Sequence, residues 1–290
     1  MKNIIVTTDF SAPAADAAKY AVHVAKYLKS GITLCHAFMV PVDAAAAAQV
    51  VWPLYDYDSI LKEASDQLEE LSQSLIQQSK SLNVPNTYKP SVECITEPGQ
   101  PAQLAKKLVK QKHAELVISG MSGAGAITKF FIGSTGRTLI DKASFPVMLI
   151  PAGYAFKPIQ KIAFATDLSQ SDIEVLHSLA GFAHYFDAEL VVVHVSNGAD
   201  KQDAKNTDAF LNDVTCKINY DKIYYRALDN SNVNDGLDWL TEHGWVDLLV
   251  MVHRKGNFFD RLVEGSLTKK LVGRIKIPLL VFPEGLNPVF

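Results

Sequence analysis

Residues 120 to 135 carry the glycines and hydroxyls that a phosphate-holding loop needs. Gly120-Met121-Ser122-Gly123 and Gly133-Ser134-Thr135 are separated by nine residues, and helical periodicity resumes immediately afterwards. Without a Cβ in the way, a glycine lets backbone N–H groups come close to an anion. A helix starting there adds unpartnered N–H groups and a positive partial charge, and Ser134 and Thr135 add hydroxyl donors. A glycine-rich turn that only packs would use the same residues. Two other phosphate motifs are excluded. The Walker pattern G-x4-G-K-[ST] does not occur, and Gly123-Ala124-Gly125 follows the fourth apolar run, whereas a dinucleotide fingerprint belongs after the first.

Asp9 and Asp167 each close a buried first strand, where a carboxylate is costly unless a ligand or neighbouring backbone N–H groups meet it. Capping the next helix is an equal alternative for Asp167. His36 and His194 recur at equivalent places in the second apolar run. With no acid or cysteine at ligand spacing beside them, they are expected to be packed, hydrogen-bonded structural histidines rather than bases or metal ligands. No metal-ligating set is expected anywhere in the chain.

The elements that position these residues occur twice. Thr7-Thr8-Asp9-Phe10-Ser11 matches Ala165-Thr166-Asp167-Leu168-Ser169, and Thr33 to Ala37 matches Val191 to Val195, both at an offset of 158. Glu115 to Ile118 matches Asp247 to Val250, Gly133-Ser134 matches Gly265-Ser266, and Pro146 matches Pro278, all at 132. The second copy therefore lacks 26 residues between its second and third strands. In each copy, continuous apolar runs alternate with stripes at helical spacing, such as Ala17, Ala21, Val24, Ala25 and Leu28, or Leu61, Ala64, Leu68, Leu71 and Leu75. Both predict doubly wound parallel sheets of five strands with helices on both faces, and a ligand at the carboxyl ends of the strands. The first-copy runs are Ile4 to Val6, Ile32 to Phe38, a weak one around Tyr88 to Ile95, Leu116 to Ile118 and Val147 to Ile150. The division expected is a first domain over 1–152 and a second over 158–290. The first-copy insertion, Met39 to Asp58, carries Trp52, Tyr55 and Tyr57 and is expected to pack onto its own domain, covering a ligand or forming an interface being the alternatives.

Composition narrows the function classes. With 48% hydrophobic and 20% charged residues over 290 positions, the chain is globular and has room for two cores. The balance is 14 basic against 13 acidic residues up to residue 152 and 14 against 18 beyond it. Neither half has the basic surplus that favours nucleic acid. No apolar run reaches the roughly 18 residues of a membrane span, and the first residues do not read as a secretory signal. Cys35, Cys94 and Cys216 form neither a metal-binding nor a disulfide pattern, so a cytoplasmic protein is expected.

On the loop after the fourth strand and the acid at the end of the first, the chain resembles the universal stress protein family, whose nucleotide-binding members carry G-x2-G-x9-G-[ST] there. The likeness extends over essentially the whole chain as two tandem domains of the adenine-nucleotide-α-hydrolase-like kind. It implies that Gly120, Ser122, Gly123, Gly133, Ser134 and Thr135 hold phosphates and ribose, and that Thr7, Thr8, Asp9 and the backbone at Ala37 meet adenosine. The ligand so implied is ATP, or AMP or ADP, with Mg2+ or Mn2+ entering through the phosphates. The resemblance also implies pairing of fifth-strand edges, Val147 to Ile150 with Leu279 to Phe282 within one chain, or a homodimer.

In the second copy Gly120 becomes Val252 and Gly123 becomes Lys255, so one nucleotide per chain is expected. His253-Arg254-Lys255 would leave at most a weak site for an anion. Three functional classes follow: a stress-response regulator that binds nucleotide, a slow ATP hydrolase or autophosphorylating protein, and a ligand-free scaffold. The chain offers no arginine finger, catalytic-loop acid or P-loop lysine, so binding without designed turnover is the expectation.

Overall fold

Apolar runs covered on both faces become parallel strands here, and the amphipathic stretches between them become the covering helices. A computed structural model describes residues 2–39, 57–81, 88–121, 123–124, 129–130, 134–196, 201–229, 236, 240, 245–254, 276–286 and 290. The first part of the chain runs β1 (Asn3–Thr7), α1 (Ala12–Leu28), β2 (Gly31–Phe38), α2 (Tyr57–Ser81), β3 (Val92–Pro98), α3 (Pro101–Lys112), β4 (Ala114–Gly120), β5 (Gly123–Ala124), β6 (Lys129–Phe130), α4 (Ser134–Lys142) and β7 (Val147–Ile150). The second runs β8 (Lys161–Ala165), α5 (Asp172–Phe186), β9 (Glu189–Ser196), α6 (Lys201–Lys217), β10 (Ile223–Asp229), β11 (Leu248–His253) and β12 (Leu279–Pro283). This is the expected α/β fold.

Among the described residues the main sheet has ten strands, in the order β10-β9-β8-β11-β12-β7-β4-β1-β2-β3. Each half repeats one parallel order, so strand order reverses between β1 and β4 and again between β8 and β11. The halves meet at β7 and β12, which pair antiparallel with Leu279 opposite Leu149, Leu280 opposite Met148 and Val281 opposite Val147. The two-residue strands β5 and β6 form a separate antiparallel ribbon, Gly123 opposite Phe130. Alternate residues of each strand feed opposite faces. Ile4, Val6, Met148 and Leu280 belong to one apolar cluster with α1 and α5. Ile5, Val147, Leu149 and Val281 belong to the other with Leu104, Leu108 and Leu139 of α3 and α4. Each such fully buried side chain contributes about 1.5–3 kcal/mol.

The strand positions carry the repeat. β8 and β9 begin 158 residues after β1 and β2, and β12 begins 132 after β7. Fifty-three residues separate β2 from β3 but 26 separate β9 from β10. Most of the insertion, 40–56, lies outside the described residues. β3 lies at Val92–Pro98 rather than around Tyr88 to Ile95. It is a sheet edge, none of its residues is fully covered, and acidic residues at 93 and 97 interrupt the apolar run that locates the inner strands.

Local chemistry places α1 against the end of β1. Ser11 caps it, accepting from the Ala14 N–H at 3.4 Å, and Pro13 lies in its first turn. It ends at Lys29, in left-handed conformation with φ 53°. The stripe Ala17, Ala21, Val24, Ala25 and Leu28 is buried as its spacing predicted, and so are Ala64, Leu68 and Leu75 of α2. Lys26, also buried, donates from Nζ to the Ser79 carbonyl at 2.7 Å in the last turn of α2, where a cation complements the helix dipole.

Candidate functional site

β1 ends in a tight turn held by its own side chains. Thr8 Oγ1 accepts from the Phe10 N–H at 3.0 Å, and Phe10 adopts φ 62°. The second half repeats this at Thr166, whose Oγ1 accepts from Leu168 N–H at 2.8 Å, with Leu168 at φ 63°. A left-handed conformation is unfavourable for a bulky residue, so both turns are held by their surroundings. The turn leaves Asp9 two residues beyond the strand and exposed, not buried at its end. Asp9 Oδ1 accepts from Ser11 N–H at 3.1 Å and Ser11 Oγ at 2.5 Å.

Six of the residues expected at a site line one cleft at the carboxyl ends of β1 and β4: Thr7, Thr8, Asp9, Ala37, Gly120 and Thr135. Four separate elements converge there, at the point where strand order reverses, which is where α/β sheets place ligands. Thr7 Oγ1 donates to Ser119 Oγ at 2.9 Å across the two strands. Ser134 starts α4, and its carbonyl accepts from Thr138 Oγ1 at 2.7 Å, but it does not line the cleft. Gly123 begins the β5–β6 ribbon. Ser122 and Gly133 lie outside the described residues. The cleft also takes in Ser11, Ser119 and Gly136, which motif matching passed over. Ser119 had a signal, a hydroxyl directly before Gly120 at the end of an apolar strand.

Gly120 has a packing role that its motif did not reveal. A Cβ there would lie 2.5 Å from the Pro13 carbonyl oxygen and 2.9 Å from Ala14 N, so the first turn of α1 rests on bare backbone. The Met121 N–H is taken by the Ile150 carbonyl at 2.8 Å.

The paired histidines are structural, as expected. His36 Nδ1 donates to the Thr8 carbonyl at 2.8 Å and its ring packs on Phe10, centroids 4.4 Å apart. His194 Nδ1 makes the matching bond to Thr166 at 3.0 Å. A carbonyl only accepts, so in each ring the Nδ1 carries the proton.

The second half differs where the first has its cleft. Arg254 does not face an incoming anion: its buried guanidinium turns inward to Asp167, Ser171 and Asp172. The weak anion site that His253-Arg254-Lys255 could have left thus loses its central charge to internal carboxylates. His253 Nε2 lies 3.7 Å from Asp141 of α4, and Lys255 and the stretch around Ser266 lie outside the described residues. Asp167 Oδ1 accepts from both Ser169 N–H, at 3.2 Å, and Arg254 Nη1, at 3.0 Å.

Among the described residues, two hollows enclose more space than the cleft, which holds about 50 Å3. One of about 390 Å3 lies between α1 and residues 153–156, the other of about 360 Å3 beside β10 and Trp245. Neither lies at the carboxyl ends of β1 and β4. No group of three or more potential metal-ligating side chains occurs among the described residues, and no helix among them is long and apolar enough to cross a membrane.

Comparison with known proteins fits this architecture. Residues 1–151 match the universal stress protein family. A universal stress protein of Methanocaldococcus jannaschii is 24% identical over 149 residues, 51% of this chain and 81% of the relative. Among solved structures, a universal stress protein from Archaeoglobus fulgidus covers 98% of both chains at a TM-score of 0.70 and 17% identity. A functionally unknown protein from Pseudomonas aeruginosa covers 98% of this chain and 93% of its own at 0.58 and 13%. The fold thus extends over nearly the whole chain, and with more than half its length matched by the family, the chain belongs to the universal stress protein family.

Proposed function

We propose that this chain is a tandem universal stress protein of the cytoplasm, with domains at 1–152 and 158–290, acting in stress response as a regulator that binds one adenine nucleotide in the first domain. The observation that carries the reading is the convergence of Thr7, Thr8, Asp9, Ala37, Gly120 and Thr135 on one cleft at the reversal of strand order. In this reading Thr7, Thr8, Asp9 and the Ala37 backbone face adenosine. Gly120, Ser122, Gly123, Gly133, Ser134 and Thr135 hold ribose and phosphates, with the positive end of α4 directed at them. Mg2+ or Mn2+ would enter through phosphate oxygens. The enclosed volume is far below the roughly 300–1,000 Å3 of ordinary ligand pockets, so the nucleotide would lie along the open mouth of the cleft. The antiparallel seam of β7 and β12 is proposed as the contact that unites the two domains within one chain.

Equilibrium dialysis with labelled ATP tests this. Saturation at one nucleotide per chain is expected, with micromolar affinity, about −8 kcal/mol. Gly123→Trp or Gly133→Trp should weaken it by at least about a hundredfold while circular dichroism stays unchanged. Unaltered affinity in both variants would remove the assignment, and two equivalent sites would contradict the one-site reading.

Asp9 supplies a finer prediction. Placed on the adenosine side, it should matter to ATP and not to inorganic triphosphate. Asp9→Ala is expected to reduce ATP affinity about tenfold, the usual loss for a hydrogen bond to a charged group, with tripolyphosphate affinity unchanged. Equal losses measured by calorimetry would place Asp9 elsewhere.

A further inference from the structure

We propose that the place in the second half that corresponds to the first cleft is a guanidinium site whose ligand is supplied by the chain itself, the side chain of Arg254. This inference stands whether or not the first cleft holds nucleotide. It rests on where the contacts fall. The offset of 158 carries Thr8, Asp9, Pro13 and Ala14, all lining the first cleft, onto Thr166, Asp167, Ser171 and Asp172. Those are the residues gathered around Arg254. Nη1 donates to Asp167 Oδ1 at 3.0 Å, and Nη2 donates to Ser171 Oγ at 3.1 Å and to Asp172 Oδ1. Nε lies 3.4 Å from Glu284 Oε1. Thr166 Oγ1 completes the enclosure by donating to Asp172 Oδ2 at 2.5 Å.

Charge and shape both select a guanidinium. Among the described residues, the first cleft is lined by one carboxylate, Asp9, whereas three carboxylates, Asp167, Asp172 and Glu284, surround Arg254. Such a site repels phosphate, and its acceptors lie around a planar donor that engages several at once, which a lysine ammonium does not reproduce. Burial makes the fit consequential. The Arg254 side chain is 10% exposed and that of Asp172 is 0% exposed, and either charge without its partner is strongly unfavourable. The guanidinium thereby ties the ends of β8, β11 and β12 to the start of α5, as a bound ligand would.

Chemical rescue tests the assignment at pH 7.5. Arg254→Ala should lower the thermal midpoint by on the order of 5 °C. Millimolar propylguanidinium should restore it saturably, propylammonium should not, and the unaltered chain should respond to neither. Rescue by both cations alike, no rescue of a folded variant, or stabilisation of the variant by tripolyphosphate would each overturn the proposal. Should Arg254→Ala fail to fold, 15N-arginine spectra decide. The unaltered chain should show one guanidinium with hindered rotation and slow exchange, absent from Arg254→Lys. Only freely averaged arginine signals, or a hindered signal that persists in Arg254→Lys, would overturn it.

Discussion

Gly120→Val is expected to destabilise the chain by about 3 kcal/mol or more, the upper end for overpacking. The reason is backbone against backbone. A Cβ at 120 would stand 2.5 Å from the Pro13 oxygen, 2.6 Å from the Pro13 carbonyl carbon and 2.9 Å from Ala14 N. No rotamer change relieves such contacts, so α1 itself has to move. Its inner face is packed through Ala14, Ala17 and Ala18, all buried, and displacing it opens that packing. Gly120 is not in the left-handed region, so the requirement is purely steric and should grade with size. Gly120→Ala is expected to cost less than Gly120→Val. By thermal unfolding the valine variant should fall by on the order of 5–10 °C, and a shift under about 1 °C would show that β4 and α1 do not approach this closely.

The second half carries valine at the matching position without collapse, and its helix begins differently. α5 starts at Asp172, which matches Ala14, whereas α1 starts at Ala12. Ser11 caps α1 through its side chain, but Ser171 makes no such bond to α5.

A second large effect concerns pH. Burial pushes the Asp172 carboxyl up from 3.8 to about 6, against the opposing hydrogen bond from Thr166 and the charge of Arg254, with Asp167 adding to the rise. Because the folded value exceeds the unfolded one, the native state holds the extra proton between about pH 4 and pH 6. Stability from this group is therefore fully present below the unfolded value and is lost as pH rises through the folded one. Two units correspond to about 3 kcal/mol. Asp172→Asn removes the titration, so the stability difference between this variant and the unaltered chain should drift by up to about 3 kcal/mol from pH 4 to pH 7. The variant should gain relative stability as pH rises. Denaturant unfolding at several pH values measures this, and a flat difference would mean that Asp172 titrates as an ordinary carboxylate.

Sequence alone determined the fold class, because runs such as Leu116 to Ile118 and Val147 to Ile150 are apolar on both faces and admit little but buried parallel strands. It also pointed to Thr7, Thr8, Asp9, Ala37, Gly120 and Thr135, which line the first cleft, but not to Ser11, Ser119 and Gly136, which join them there. Tertiary structure decided what depended on residues far apart. The edge strand β3 overlaps its expected place only at residues 92–95, because partial exposure blurs the apolar run. Gly120 read as an approach for phosphate, and only the position of Pro13, more than a hundred residues earlier, showed that α1 rests on it. Arg254 read with His253 and Lys255 as a cationic stretch that could draw an anion. Its partners Asp167 and Asp172 lie 87 and 82 residues away in the chain, and only the pairing of β8 with β11 brings them together. The desolvation that makes that contact consequential is a property of the packed interior, and no spacing of residue types encodes it.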